Sequence, residues 1–146
     1  MKKYRRFILI AVVVILAGVV WAYREYTRKN IDLTNVQEDY IIAAPTLIKE
    51  FETNDSSANK KFLGKTLLVT GALKDFSKDG NYITLILGDT SSMSAVRCAM
   101  DTSHAVNQND FTRGVPVNIK GSCTGFNKDE LLGSDVIMNR CVVVKP

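Results

Sequence analysis

Two stretches decide the fold: Thr66-Leu67-Leu68-Val69-Thr70-Gly71-Ala72-Leu73, and, after a turn, Tyr82-Ile83-Thr84-Leu85-Ile86-Leu87. Both are rich in aliphatic and β-branched residues, the composition of strands. Between them Lys78-Asp79-Gly80-Asn81 supplies the positive-φ residues that a hairpin needs. Gly71 in the first stretch reads as a bulge or sharp bend. Working outward, Gly88-Asp89-Thr90-Ser91-Ser92 turns the chain again. Ala95-Val96-Arg97-Cys98-Ala99-Met100 then alternates, with Val96, Cys98 and Met100 on one face.

Alternation breaks at Asp101, and the polar run 102–110 suits a short helix or helical turn. Val115, Val117, Ile119, Gly121 and Cys123 resume the alternation as a fourth strand. Gly125 to Ser134 reads as a loop, and 136–144 as a fifth strand. Upstream, Pro45 suits a first helical turn, with Leu47, Ile48 and Phe51 at helical spacing. Ser57 reads as the cap of a second short helix that Gly64 ends. Three strands, a helical insert and two strands is the order of a mainly β fold, the five-stranded Greek-key OB barrel. It is preceded here by an N-terminal helical segment.

Further out lies the N-terminus. Lys2, Lys3, Arg5 and Arg6 precede an uncharged apolar run of 17 residues, Phe7 to Tyr23, which Arg24 closes. At ~1.5 Å per residue this is roughly 25 Å of helix, and about 17–25 residues cross a bilayer core. A cleaved secretory signal is the competing reading, but Val19-Val20-Trp21-Ala22-Tyr23 lacks a small-x-small cleavage pair. Trp21 and Tyr23 suit the headgroup region, and the basic flank favours a cytoplasmic N-terminus. The expected organisation is a cytoplasmic tail (1–6), a transmembrane helix (7–23), a polar tether (24–36) and an OB domain with N-terminal helices (37–146). The expected address is a bacterial inner membrane, single-pass, with the C-terminal domain periplasmic or otherwise extracytoplasmic.

Charge narrows the partners. The whole chain carries +4, but seven of its 19 bases and one of its 15 acids lie in residues 1–30. The remainder holds 12 bases against 14 acids, a formal −2, whereas nucleic-acid surfaces are usually basic. Cys98, Cys123 and Cys141 could supply one disulfide outside the cytoplasm. If the last two strands form a symmetric hairpin about residue 132, Cys123 and Cys141 lie opposite each other. Cys98–Cys141 is the competing pair, and three buried thiols are the alternative. No Cys-x-x-Cys occurs and His104 is the only histidine, so no structural zinc site is expected. No other metal and no cofactor is expected either.

Asn59-Lys60-Lys61-Phe62-Leu63-Gly64-Lys65, running on through Thr66 to Gly71, resembles the entry of the tRNA_anti-like OB-fold family. Val96-Arg97-Cys98, the stretch from Gly114 to Gly125, and Asn139-Arg140-Cys141 add to the resemblance, which covers roughly residues 43–144. It implies a small bacterial envelope or lipoprotein-like OB domain, and it brings no catalytic residues. Lipoprotein members carry an anchoring cysteine near the start; this chain has its first at Cys98.

His104 sits in the polar insert and reads as a solvated loop residue. Asp75, Asp79 and Asp89 read as turn residues, without EF-hand spacing. OB domains bind ligands on their second and third strands with the loops after the first and fourth. That rule selects Phe76, Tyr82, Thr84, Arg97, Phe126 and Lys128, with Asn127 beside them, as candidate ligand-binding residues. No nucleophile–base pair or phosphate loop is visible, so a non-enzymatic role is expected. The leading expectation is a membrane-anchored binding module for an envelope protein or small ligand. The alternative is a single-stranded nucleic-acid-binding OB domain.

Overall fold

The computed structural model describes residues 2–27, 33–102, 111–129 and 131–144, with side chains in the first helix from Val12 onward. Two compact units make up the chain, residues 1–31 and 32–146. The first holds one 25-residue helix, α1 (Lys2–Tyr26), so the expected tether is helical through Tyr26. Among the described residues no helix is long and apolar enough to cross a membrane.

The second unit begins with a 3-10 turn, Leu33–Asn35, whose Leu33 is buried. Lys120 Nζ donates to the carbonyl oxygens of Thr34 (3.4 Å) and Val36 (3.0 Å) and pairs with Glu38 at 3.3 Å. The end of the expected tether is therefore fastened to the domain. A buried ammonium needs such partners, because an unpaired one is costly. Next come β1 (Tyr40–Ala43), α2 (Ala44–Thr53) and α3 (Asp55–Phe62). Pro45 stands in the first turn of α2, as expected. The cap between the helices is Asn54, whose side chain accepts from the Ser57 N–H at 3.0 Å, so Ser57 donates and does not cap.

Five further strands follow: β2 (Thr66–Asp79), β3 (Tyr82–Leu87), β4 (Ala95–Met100), β5 (Pro116–Asp129) and β6 (Gly133–Val143). With β1 they form a six-stranded sheet in the order β1-β2-β3-β4-β6-β5. The first half of β2 also pairs with β5, from Thr66↔Ser122 to Ala72↔Pro116, and its second half with β3, from Leu73↔Leu87 to Asp79↔Tyr82. The pairings β2-β3-β4-β6-β5 thus return to β2. Strand β4 lies parallel to β6, and β5 antiparallel to it. Leu47 and Phe51 of α2 and Phe62 of α3 join Leu67, Leu85, Val96, Ile119 and Met138 in one core. Ser94 Oγ donates to Glu52 and accepts the Ser134 N–H, tying α2, the β3–β4 loop and β6 together.

Three sequence expectations need correction here. The irregularity in β2 lies between Leu73 and Asp75, at Lys74, not at Gly71. Gly71 is a close approach instead: a Cβ there would stand 2.8 Å from the Cβ of Ala44. The expected loop 125–134 is mostly strand. Its turn is tight, because Asp129 Oδ1 accepts the N–H groups of Leu131 (2.8 Å) and Leu132 (2.9 Å). The Cys123–Cys141 disulfide is absent, and all three cysteines are free and buried. Asp129 pairs with Gly133, so the hairpin folds about residue 131, which alone would set Cys123 opposite Asn139, and a register shift between Cys123 and Gly125 moves it opposite Met138. Two register shifts along the same ladder leave Cys141 beside Gly121, where a Cβ would stand 2.5 Å from its Sγ. The expected insert lies outside the described residues apart from Thr102, and His104 with it.

Candidate functional site

Strand alternation sorts the candidate residues onto two faces. Leu85 and Leu87 of β3, and Val96 and Cys98 of β4, are fully buried. Side chains alternate along a strand, so Thr84 and Ile86 of β3 and Arg97 of β4 lie on the outer face. Ile86 pairs with both Asp75 of β2 and Arg97 of β4, and Arg97 with Ile137 of β6. A row across four strands results. Tyr82 is exposed at the start of β3, where Asp79, Gly80, Asn81 and Thr102 form a concavity of about 400 Å³ with it.

Phe76 and Phe126 go the other way. Phe76 pairs with the buried Leu85 and Phe126 with the buried Val136, and both pack against the core. Phe126 stacks on Phe51 of α2 with ring centroids 4.9 Å apart. Lys128, two residues on, keeps the strand phase of Phe126 and is exposed beyond the core's end; Asn127 has the outward phase, opposite Asp135. The outer face thus gathers Thr84 and Arg97, holds Tyr82 at one end, and excludes Phe76, Phe126 and Lys128.

Residues that the strand rule missed complete this face. Lys74, Asp75, Ile86, Met93, Ala95, Arg97 and Arg113 line a cavity of about 360 Å³. Lys74 is there because it occupies the β2 irregularity; its Nζ donates to the carbonyl oxygens of Ser92 and Met93. Arg113 arrives from the loop before β5. Its Nε and Nη2 donate to Asp75 Oδ1 at 3.1 and 2.6 Å. Arg97 Nε donates to Asp135 Oδ2 at 2.6 Å. The guanidinium of Arg113, with the Phe76 N–H, holds the Asp75 carboxyl below the usual carboxylate range. Asp135 was findable in principle: the parallel β4–β6 pairing sets Ala95 opposite it. Arg113 had no local signal, because it reaches Asp75 across 38 residues of sequence.

Two of the buried thiols, Cys123 and Cys141, are held protonated. Burial pushes Cys123 up to about 11, and Cys141 is raised by its hydrogen bond with Cys98 and by burial. Since the thiolate is the nucleophile, neither is poised to react. Among the described residues no group of three or more His, Cys, Asp or Glu is placed to hold a metal ion.

The sequence profile of the tRNA_anti-like family matches residues 1–141. This chain belongs to that family. No curated protein matches this tRNA_anti-like chain in sequence. Among solved structures, it resembles a lipoprotein from Klebsiella pneumoniae provisionally designated nucleic acid-binding. The two are 16% identical, the match covers 81% of this chain and 100% of the lipoprotein, and the TM-score is 0.55. The asparaginyl-tRNA synthetase of Pyrococcus horikoshii matches 58% of this chain with 21% of its own length, at 17% identity and a TM-score of 0.39. The tRNA_anti-like chain is thus a mainly β, OB-like domain with added helices.

Proposed function

We propose that the protein is a membrane-anchored OB-fold binding module, not an enzyme. On this reading the closed run β2-β3-β4-β6-β5 acts as a five-stranded Greek-key barrel, with β1 added at its edge. The outer face of β2, β3 and β4 receives an envelope protein or a small ligand. The observation that carries the reading is the cavity on that face, floored by Ile86 and Ala95 and edged by Lys74, Arg97 and Arg113. Four of its seven lining residues are charged, so it is a polar concavity with a small apolar floor, and convergent polar groups are what fix a ligand's orientation.

The anchor rests on α1. Five consecutive residues, Val12 to Leu16, are all exposed, as are Val19, Val20 and Trp21. Successive helical residues point in different directions, so the stretch 12–21 of α1 is apolar on every side. Such a helix belongs in a protein interior or a bilayer. With the basic residues before Phe7, it supports a single pass and an extracytoplasmic domain.

Photo-crosslinking residues placed at Tyr82 and Thr84 of the full chain in native membranes test the reading. We expect a discrete adduct from these positions and none from Lys49 on α2. Adducts from Lys49 alone would move the binding surface off this face. Single-stranded nucleic acid is the second reading, favoured by the three cations at the cavity. Against it, two of them are held by carboxylates, and Phe76 and Phe126 are turned inward, away from stacking. A steep loss of single-stranded DNA affinity with rising salt would establish it.

A further inference from the structure

We infer that the cavity between β2, β3 and β4 binds a small amphiphile carrying one oxyanion, a carboxylate or phosphate, on an apolar body. The inference rests on the binding-module reading and names the ligand class for that face.

Charge is the first argument. Lys74, Arg97 and Arg113 line the cavity with one carboxylate, Asp75, while Asp135 pairs with Arg97 from behind and Asp89 lies within electrostatic reach of Lys74, so the positive excess is confined to the lining itself. Around it the surface turns acidic: Asp79 ends β2, Asp89 lies in the β3–β4 loop, Asp129 turns the β5–β6 hairpin and Asp135 stands behind Arg97. A polyanion crossing this face would meet those carboxylates on leaving the cavity. One isolated negative charge would not.

Donor geometry is the second. Asp135 takes the Nε side of Arg97, leaving both terminal nitrogens of that guanidinium without a bond to it. Asp75 takes Nε and Nη2 of Arg113, leaving Nη1. The carboxylates therefore orient the two guanidinium groups, whose remaining terminal N–H donors have no side-chain partner among the described residues. Arginine's planar fork suits carboxylate and phosphate oxygens. The side chains of Arg97 and Arg113 are 49% and 67% exposed, so an incoming anion reaches them without rearranging the core.

The third argument is the apolar surface beside the charge. Ile86 floors the cavity and Met93, 67% exposed, forms its lip. Gly133 packs on Met93, where a Cβ would stand 2.7 Å from the methionine Cβ, and just before it Leu131 and Leu132 are 84% and 73% exposed. The Asp129 carboxylate fixes that turn, so two leucines are held out in solvent on the turn that packs against Met93 through Gly133, outside the cavity lining itself. At about 360 Å³ the cavity falls within the ~300–1,000 Å³ of ordinary ligand sites.

The test uses the full chain in phosphatidylcholine nanodiscs, with methyl-labelled isoleucine and methionine. Octanoate and octyl phosphate are expected to shift the Ile86 and Met93 methyl signals saturably, leaving Ile119 unmoved, while octylamine does not. Arg97→Gln and Arg113→Gln should each weaken octanoate at least ~10-fold, the size of a lost charged hydrogen bond. Both sites are solvent-exposed, so an unchanged Ile119 signal certifies the fold. Discs containing phosphatidylglycerol and no added amphiphile separate the sources: the same shifts there assign a lipid headgroup, and silence there assigns a free acid. Equal response to octylamine, or no shift with millimolar octanoate, overturns the inference. If Tyr82 and Thr84 still crosslink to a partner in that case, the binding-module reading stands and only the ligand class falls.

Discussion

Gly121 and Cys141 share a space that holds one of two atoms. A Cβ at position 121 would stand 2.5 Å from Cys141 Sγ and 3.1 Å from the Met138 Cε, both in the closed core. Gly121→Ala should therefore destabilise by about 1–3 kcal/mol through overpacking. Cys141→Ala removes the obstructing sulfur, so the double variant should lose less than the two single losses combined. Urea unfolding of the four proteins measures the coupling; strict additivity would mean that the two groups do not compete. The same thiols set an alkaline limit. With folded pKa values raised above 9, Cys123 to about 11, the native state keeps protons that the unfolded chain releases. Their contribution is complete below about pH 9 and is lost as pH rises towards 11. Stability should fall across that window, and Cys123→Ala should flatten the fall. On the acid side the sign reverses: the lowered carboxyls of Asp75, Asp89 and Asp129 favour folding above pH 4 and cease to do so below it. The disulfide expectation erred at this scale, since moving the hairpin centre from 132 to 131 carries Cys123 from Cys141 to Asn139, and one register shift carries it on to Met138.

Helix α2 is the element that the sequence described most fully, and its burial gives a direct expectation. Phe51 is buried between Phe62 and Phe126. Phe51→Ala should cost about 3–5 kcal/mol, read as a lower unfolding midpoint with an unchanged denaturant slope. Strands β3 and β4 were legible to the residue, because Leu85 and Leu87, and Val96, Cys98 and Met100, recur at every second position on the core side. Strand β1 was not. Its exposure pattern carries no alternation, and it is a strand because the edge of β2 accepts it, from Tyr40↔Leu67 to Ala43↔Thr70. The site was legible by halves. Alternation fixes Thr84 and Arg97 on the outer face, but the inward turn of Phe76 and Phe126 depends on their partners Leu85 and Val136. Lys74 depends on a strand irregularity, and Arg113 on a contact formed only once the sheet has closed. Lys120 belongs to this scale too. Lys120→Met removes the donor to Thr34 and Val36, and should speed amide exchange in 33–38 more than in β3 or β4. Uniform acceleration would make it a general core residue, not a local clasp.

For the whole chain, the anchor reading makes a separable demand. Alkaline carbonate should leave the protein in the membrane fraction, and a reporter active only outside the cytoplasm should be active when fused after Pro146. Recovery in the soluble periplasm with a shortened N-terminus would show a cleaved signal instead. Strand β2 has a consequence in time as well as in space. Its Thr66–Ala72 half pairs with residues 116–122, some fifty positions later in the chain. Nascent chains emerge in order, at ~5–20 residues per second, so for several seconds this half of β2 exists without β5. Closing so wide a loop is also slow, as in other folds dominated by distant pairings. A ribosome stalled before Pro116 would therefore hold Leu67 and Val69 uncovered along an unpaired edge, a template for aggregation. The chain's vulnerable moment comes before its last two strands are made, and a chaperone for this protein would have its binding site in β2.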